Sequence, residues 1–358
     1  MAWLKKIGIA LAGLAIVGVA VAFAFQARIG AWMFNRGVTQ RMSVDNLAAL
    51  GDGLHVGLCG TGSPMPNLGR AGPCNVIVAG KQMYLVDMGE GAGETLNIMG
   101  ISPGSADGLF LTHFHSDHID GIGPAMLFHW TRKSATSPLP IHGPTGVEKI
   151  VDGFNAAYLT DNGYRIAHHG TKVVPPSGAG ATARPFEMPA SKAVVLNRNG
   201  LTITAFAVNH DPIKPSVGYR FDYKGRSLCI SGDTKKSANL EAVCKGVDIL
   251  VHEALQPNMV EKLSVAAAKN GQTGAAKIFH DIQDYHTSPE QAAESAKTAG
   301  AGMLVLSHLV PPLPNKYFYP AFLGDAKSRF DGEIVVGEDG MMFSLPAGSK
   351  EINRSRLM

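Results

Sequence analysis

The segment LTHFHSDHIDG constrains the fold of this chain more than any other part of the sequence. It places His113, His115, Asp117 and His118 within six positions, directly after the apolar run Leu109–Leu111. We therefore expect the segment at the C-terminal end of a β-strand, where ligands gather in α/β sheets. Alternate side chains of an extended chain point the same way, so His113 and His115 can share one metal ion while the other two reach a second. Imidazole and carboxylate ligands suit zinc, and also iron or manganese.

Two metal ions need further ligands, and three more side chains are placed to supply them. His210 follows the strand-like run Leu201–Val208, and Asp233 lies in a turn after another apolar run. His308 ends the run Met303–Ser307. Each of these three side chains follows a strand-like run, at the edge of a sheet where ligands gather. Because a carboxylate can bind two cations through its two oxygens, we expect Asp233 to bridge the ions.

Short β-strand patterns alternate with helical patterns from residue 53 onwards, without the repeat period of a solenoid or a propeller. This alternation predicts one α/β domain over residues 53–347 rather than two domains. A polar connector, residues 37–52, would precede the domain, and a tail, residues 348–358, would follow it. The stretch Pro175–Pro189 is rich in proline and glycine, which is typical of a surface loop.

Residues 1–36 contain the most apolar stretch of the chain. Ile7–Phe25 carries no charge over 19 residues, which is long enough to cross a hydrocarbon core. We expect an uncleaved membrane anchor, and the alternatives are a cleaved signal peptide and a buried core helix. Lys5 and Lys6 favour a cytoplasmic N-terminus and a periplasmic or extracytoplasmic domain, although Arg28 and the basic residues beyond it favour the opposite orientation.

Composition excludes two classes of protein. The net charge is only +3 and no run of five basic residues occurs, so we expect no extended nucleic-acid surface. A chain that is 45% hydrophobic with so little net charge is also not intrinsically disordered. The four cysteines show neither CxxC nor Cys/His finger spacing, so we expect buried free thiols. These cysteines are Cys59, Cys74, Cys229 and Cys244.

Five motifs of the chain together resemble those of the metallo-β-lactamase superfamily. The first is LVDMGEG, which contains Asp87, and the second is the cluster at residues 113–118. The match spans about residues 54–310. The resemblance implies an αββα sandwich, with two mixed β-sheets flanked by helices and a binuclear site, usually zinc, at one edge. It also implies that Asp87 is structural, that His113, His115 and His210 hold one ion, that Asp117, His118 and His308 hold the other, and that Asp233 bridges them.

Within the superfamily, the chain is most similar to the ribonuclease Z and arylsulfatase-like branch. The similarity rests on GTGSPMPNLGRAGP, on GEG at 89–91, on HEAL at 252–255 and on HTSPEQAAESAK at 286–297. In ribonuclease Z the last two stretches carry a proton-handling pair, which here would be Glu253 and His286. A carboxylate hydrogen-bonded to an imidazole raises the pKa of the imidazole and suits it to protonate a leaving oxygen. Leu255 departs from the family pattern, which has threonine at this position.

The segment between His210 and Asp233 is another departure from the family pattern. Ribonuclease Z carries a long arm rich in glycine and basic residues there, whereas this chain has 22 residues patterned as two strands. Without the arm or a basic patch, we do not expect nucleic acid as a substrate. A β-lactamase is not expected either, because those enzymes generally lack the bridging aspartate.

These observations predict a membrane-anchored hydrolase with two zinc ions that cleaves a phosphodiester or sulfate ester of a small anionic molecule. Asp117 would orient or deprotonate the attacking hydroxide. His286, steered by Glu253, would protonate the leaving group, and Arg70 is a candidate for binding the anion. The alternatives are a ribonuclease Z-like endonuclease without the arm, a lactone or thioester hydrolase, a di-iron redox enzyme, and an inactive membrane-tethered metal-binding module. A homodimer is compatible with the sequence.

Overall fold

The N-terminal unit of the molecule consists of two helices. The computed structural model describes residues 2–358, so the first residue of the predicted segment 1–36 lies outside it. Helix α1 is Ala2–Ala24 and helix α2 is Gln26–Ser43, so helical structure extends into the predicted connector 37–52. The most apolar window of α1 has a mean hydropathy of 2.6 and buries no residue. By length and composition, α1 could therefore cross a membrane.

The second unit, Leu47–Met358, is built on two β-sheets. Its strands are β1 (Gly53–Gly60), β2 (Cys74–Ala79), β3 (Gln82–Val86), β4 (Gly108–Phe110), β5 (Leu139–Pro144), β6 (Ala181–Phe186), β7 (Lys192–Arg198), β8 (Leu201–Ala207), β9 (Val217–Tyr223), β10 (Arg226–Ile230), β11 (Ile249–Leu255), β12 (Met303–Val310), β13 (Glu333–Val336), β14 (Met341–Pro346) and β15 (Asn353–Arg356). The first sheet has the order β15-β14-β1-β2-β3-β4-β5-β6, and the second has the order β13-β12-β11-β10-β9-β8-β7. Both are mixed, because β3 to β6 and β10 to β13 run parallel while the other neighbours are antiparallel.

The inner faces of the two sheets pack against each other. Every residue of β1 is buried, and Leu54 and Val56 on this strand belong to the core between the sheets. Phe110 of β4 meets Tyr219 of β9 in this core, with ring centroids 5.4 Å apart. Strands covered on both faces carry nearly continuous apolar runs, which is why the sequence pattern locates them.

Helices cover the outer face of each sheet. They are α3 (Ala92–Ile98), α4 (Ser116–Ile119), α5 (Ile122–Lys133), α6 (Val147–His169), α7 (Ala238–Val243), α8 (Pro257–Lys269), α9 (Thr273–Asp281), α10 (Pro289–Ala299), α11 (Tyr319–Leu323) and α12 (Ala326–Arg329). Leu96 of α3 and Met126 of α5 pack against the first sheet, and Leu240 of α7 and Ala296 of α10 pack against the second. The four layers form an αββα sandwich, as expected.

Two segments that the sequence presents as irregular contain strands. The predicted tail, residues 348–358, contains β15, which pairs antiparallel with β14 at the edge of the first sheet. The predicted loop Pro175–Pro189 contains β6, which pairs with β5 at the opposite edge. All four residues of β15 are exposed, and β6 is only partly buried. Neither strand therefore shows the buried apolar pattern by which a strand is recognised.

The four cysteines form two disulfides, so the expectation of free thiols is wrong. Cys59 is bonded to Cys74 with a Cα–Cα distance of 5.0 Å, and Cys229 is bonded to Cys244 with a Cα–Cα distance of 5.9 Å. The first bond joins β1 to β2, and the second joins β10 to the residue that ends α7. The partners meet through strand pairing and helix packing, so no short-range spacing in the sequence reveals them.

Candidate metal centre

The segment that follows β4 is held in place by Asp87, directly after β3. The N–H and the hydroxyl of Thr112 both donate to the Asp87 carboxylate, each over 2.8 Å. His118 Nδ1 lies 2.9 Å from Asp87 Oδ2. Asp87 has a φ of 56°, a left-handed conformation in which aspartate is enriched among non-glycine residues. Its carboxylate therefore fixes the course of residues 112–118.

Asp233 is brought to the same edge of the sandwich by a glycine turn after β10. Gly232 has a φ of 61°, and a Cβ at this position would lie 2.6 Å from the Val217 carbonyl oxygen. Only glycine fits this turn, because any side chain would be strained in φ and would collide with backbone. Asp233 leaves the turn with 2% of its surface exposed.

His308 and His210 reach the centre through irregular backbone as well. The register between β11 and β12 shifts at Glu253, which leaves His308 as the extra residue of a bulge with a φ of 47°. Bulges re-aim a side chain in this way, and they often lie beside functional sites. His210 lies in the loop after β8, and its Nδ1 is 2.9 Å from the Tyr285 carbonyl oxygen.

These backbone features bring four imidazole nitrogens around one carboxylate oxygen. Asp233 Oδ2 lies 3.3 Å from His308 Nε2, 3.4 Å from His118 Nε2, and 3.9 Å from the Nε2 atoms of His113 and His210. A central carboxylate with this surrounding has the position of a bridging ligand. We use the name candidate metal cluster for His113, His115, Asp117, His118, His210, Asp233 and His308.

The ligand atoms of the candidate metal cluster fall into overlapping groups. Within each group, one donor atom from every side chain lies within 4.8 Å of the others. The groups are His113 with His115, His210 and Asp233; Asp117 with His118 and His308; and Asp233 with His286 and His308. All seven predicted ligands are thus brought together, and the arrangement is compatible with a binuclear metal site.

Two imidazole nitrogens test whether the cluster fits a metal ion. His118 Nε2 and His210 Nε2 are buried without a hydrogen-bond partner among the described residues, and both face Asp233. Buried polar atoms are normally satisfied, and a divalent cation beside each of these nitrogens would satisfy it. Their Nδ1 atoms are already held by Asp87 and by the Tyr285 carbonyl, as is usual for metal-binding histidines. The donor set therefore fits zinc or a similar ion.

The histidines of the cluster differ in the charge that their surroundings favour. Burial lowers the pKa of His210 to about 4. Burial acts in the same direction on His118 and His308, but the carboxylates of Asp233 and Asp117 outweigh it. They hold the pKa of His118 well above its usual value and raise the pKa of His308 to about 9. Positive charge is therefore favoured around the two aspartates, as expected of a place for a cation.

Glu253 and His286 lie beside the cluster and contact each other. Glu253 Oε1 accepts hydrogen bonds from the N–H groups of Thr234 and Thr287, over 3.2 and 3.0 Å, and lies 3.1 Å from His286 Nδ1. Burial, followed by the Asp233 carboxylate, raises the pKa of Glu253 well above its usual value, and burial lowers the pKa of His286 to about 4. The surroundings thus favour the neutral form of both members of this predicted pair.

Arg70 is engaged within the protein. Its Nη1 donates to the Thr61 hydroxyl and the Gly337 carbonyl, and its Nη2 donates to the Tyr319 hydroxyl. These bonds tie the loop Ser63–Gly72 to the C-terminal part of the domain. The expectation that Arg70 binds an anionic substrate gains no support from this geometry, because most of its donors are already used.

A cavity of about 750 Å³ adjoins the cluster on the side of Asp117. The loop Ser63–Gly72 forms much of its wall, and the carboxylates of Glu90 and Asp120 also line it. A cavity of this size can hold a ligand of a few hundred daltons.

A second cavity, of about 590 Å³, adjoins His210. Its wall includes the side chains of Met188, Val208 and Ile213. It is therefore the less acidic of the two cavities, although Asp211 also lines it.

Sequence reasoning missed the residues that orient the predicted ligands. Thr112 and Tyr285 hold His113 and His210 in place, Thr112 through its hydroxyl at 3.1 Å from His113 Nδ1. Thr112 is adjacent to a predicted ligand, and Tyr285 is adjacent to a predicted catalytic residue, so position was the one available signal. A main-chain carbonyl can come from any residue type, so the residue identity of Tyr285 gave no indication of its bond to His210.

Protein families and curated proteins include relatives of this chain. The model of the beta-lactamase superfamily domain matches residues 85–309. A ribonuclease Z from Mycolicibacterium gilvum is 36% identical over 293 residues, which cover 80% of this chain and 94% of that protein. A ribonuclease Z from Mycobacterium bovis is 35% identical over 290 residues, which cover 80% of this chain and 96% of that protein.

Solved structures share the fold at lower sequence identity. The short form of human tRNase Z has a TM-score of 0.58 and 21% identity, covering 82% of this chain and 99% of its own. A metallo-β-lactamase fold protein from Bacillus subtilis has a TM-score of 0.58 and 20% identity, covering 81% of this chain and 99% of its own. At these identities the likeness shows the fold alone.

Proposed function

The chain belongs to the beta-lactamase superfamily, within its ribonuclease Z branch, and we propose that it hydrolyses phosphodiester bonds at a centre with two divalent metal ions. The observation that carries the proposal is the convergence of four imidazole nitrogens on Asp233 Oδ2, with the contacting pair Glu253 and His286 beside them. A metal-binding module without activity would have no use for the buried pair, so hydrolysis explains more of the site.

The candidate metal cluster would hold both ions. We assign His113, His115 and His210 to one ion, Asp117, His118 and His308 to the other, and Asp233 to both. When bound, such ions neutralise charge on the phosphoryl oxygens and make water acidic enough to attack at neutral pH. Zinc is our choice of metal, because imidazole and carboxylate are its usual ligands in catalytic sites.

The chain's own residues would then handle the protons. Asp117 is 8% exposed and lines the larger cavity, so its carboxylate can orient the attacking water from the substrate side. His286 Nδ1 lies 3.1 Å from Glu253 Oε1, which leaves Nε2 to face the leaving oxygen. Because its surroundings favour the neutral imidazole, His286 would first take up a proton from solvent and then donate it from Nε2 to the leaving oxygen. The bond to Glu253 keeps the imidazole in one orientation throughout, and a positioned acid of this kind accelerates a reaction about 10²- to 10⁴-fold.

RNA is the substrate class that we favour over a small sulfate ester. The relatives bear the name ribonuclease Z, which outweighs the sequence argument against nucleic acid. The strands β9 and β10 fill most of the chain between His210 and Asp233, with no long arm to grip a folded RNA. The cavity beside Asp117 has room for about one nucleotide. We therefore propose short, single-stranded RNA as the substrate.

We also propose that the domain is anchored to a membrane and lies outside the cytoplasm. Helix α1 supports an anchor by length and composition, and the two disulfides support an oxidising compartment independently of that helix. Alkaline phosphatase, fused after the last residue of the full chain, should be active in bacterial cells, because it requires export. Green fluorescent protein, fused at the same position, is the matched reporter. If that fusion is fluorescent and the cysteines of the chain are free thiols, the proposal is contradicted.

The activity is tested on the full chain loaded with zinc. An end-labelled RNA of about ten nucleotides, bis(p-nitrophenyl) phosphate and p-nitrophenyl sulfate are offered in parallel. We expect cleavage of the two phosphodiesters, loss of cleavage after treatment with a chelator, and recovery when zinc is restored. Hydrolysis of the sulfate alone, or cleavage that survives metal removal, would contradict the proposal.

A further inference from the structure

We propose that the ring of Tyr285 is the surface on which the nucleobase beside the scissile phosphate stacks. The inference rests on the proposed phosphodiesterase function and adds a specificity-determining residue to it. Tyr285 lies between α9 and α10, immediately before His286. Its ring centroid is 5.1 Å from that of His210 and 5.0 Å from that of His286. It therefore borders both the candidate metal cluster and the proposed acid.

The main chain and the side chain of Tyr285 have separate tasks. Its carbonyl oxygen accepts the bond from His210 Nδ1, and this contact does not depend on the side chain. The ring is only partly buried, belongs to none of the hydrophobic cores, and its hydroxyl makes no hydrogen bond among the described residues. Core packing and hydroxyl bonding therefore do not explain an aromatic ring at this position.

The surroundings favour an aromatic partner on this side of the centre. Among the described residues, Tyr285 contributes the one ring other than imidazole that contacts a histidine of the cluster. The adjoining cavity at His210 is lined partly by Val208 and Ile213. The cavity on the other side is lined by Glu90 and Asp120 and by no aromatic side chain among the described residues, so it offers a base no ring to stack on. A base can stack on Tyr285 whatever its identity, because every base has a π-face.

The test removes the base from the ligand and the ring from the protein. Binding of adenosine 3′- and 5′-monophosphate and of ribose 5-phosphate is measured by calorimetry on the zinc-loaded full chain. The variants are Tyr285→Phe, which keeps the ring, and Tyr285→Leu, which removes it. Tyr164→Leu is the matched control, because it removes an exposed tyrosine from α6. Zinc content is measured for every variant.

One of the two adenosine monophosphates should bind to the wild type more tightly than the other. We expect that nucleotide to bind more tightly than ribose 5-phosphate as well. Tyr285→Leu should lose roughly 5- to 150-fold of the affinity for that nucleotide, as base–aromatic stacking implies, and none for ribose 5-phosphate. Tyr285→Phe and Tyr164→Leu should bind both ligands as the wild type does. With a short RNA as substrate, Tyr285→Leu should raise KM and leave kcat within about twofold.

Three results would overturn the inference. They are no preference for the nucleotide in the wild type, equal losses for both ligands in Tyr285→Leu, and loss of zinc from that variant. The outcome is separable from that of the proposed function. A nucleotide preference that depends on the ring, in a protein that cleaves no diester, would support the stacking surface and reject the hydrolysis. Diester cleavage together with nucleotide binding that does not depend on the ring would support the hydrolysis and reject the stacking surface.

Discussion

The candidate metal cluster and the loops that face a substrate are built by different means. Apart from His115, every member of the cluster is at most 8% exposed, and each is placed by the end of a strand, a glycine turn or a bulge. The loops that would face a substrate are more open: Leu68, in the wall of the cavity beside Asp117, is fully exposed, and Tyr285, whose ring lies beside His210, is half-buried. Scaffold residues therefore determine the chemistry, whereas loops that can change without disturbing the sheets determine the substrate.

The largest effect is expected from the centre of the cluster. Asp233→Ala leaves four imidazole nitrogens without the carboxylate that they share, so metal content should fall below two ions per chain and diester hydrolysis should fall to background. Metal analysis and a kinetic assay on the full chain measure this. Asp161→Ala on α6 is the control, because among the described residues that aspartate pairs with Arg165 alone, on the same helix. If Asp233→Ala binds two metal ions and keeps full activity, Asp233 does not bridge the ions.

A smaller effect is expected at the boundary between the two regions. His286→Ala should lower kcat about 10²- to 10⁴-fold while both metal ions remain, because a proton donor is lost and no ligand is. Glu253→Gln should lower kcat less, since it keeps a hydrogen-bonding group beside His286. Loss of a metal ion from His286→Ala would instead place this histidine among the ligands, as its grouping with Asp233 and His308 would permit.

The support beneath the cluster should matter less than the ligands themselves. Asp87→Asn weakens the hold on His118 Nδ1 and on Thr112, so zinc affinity should fall about 10- to 100-fold. At saturating zinc, kcat should recover most of its wild-type value. Titration with a zinc chelator measures the affinity. An unchanged affinity would show that the backbone alone positions residues 112–118.

The smallest effect on activity is expected at the disulfide that joins β10 to the end of α7. Replacing Cys229 and Cys244 by serine opens a loop with a sequence separation of 15. It should lower the free energy of unfolding by about 3 kcal/mol. Urea denaturation measures this loss, and kcat should stay at the wild-type value because neither cysteine contacts the cluster. A fall in kcat that zinc does not restore would connect this disulfide to the site.

The difference between the buried cluster and the exposed loops also explains how much of the structure the sequence predicts. The seven predicted ligands were found because each lies at or just after the end of an apolar run that becomes a mostly buried strand. Glu253 and His286 were predicted from the resemblance to ribonuclease Z, and His286 lies next to no described strand. The αββα sandwich followed from the resemblance, which the family and fold comparisons confirm. The edge strands β6 and β15 were missed because β6 is partly exposed and β15 is fully exposed, which removes the buried apolar pattern. The disulfides were missed because their partners meet only in the folded chain.

The engagement of Arg70 and the position of Tyr285 also lay beyond the sequence. The sequence around an arginine in a loop looks the same whether its guanidinium contacts water, an anion or the protein. Only the fold brings Thr61 and Tyr319 to Arg70. Substrate loops carry few buried apolar residues, so periodicity gives little information about them.

The account depends most directly on where metal ions bind. Anomalous diffraction at the zinc edge, from crystals of the zinc-loaded full chain, locates them without an assay. We expect two peaks, one beside His113, His115 and His210 and one beside Asp117, His118 and His308, both within coordination distance of Asp233 and neither bonded to His286. A single peak, or a peak coordinated by His286, would contradict the division between ligands and proton donor.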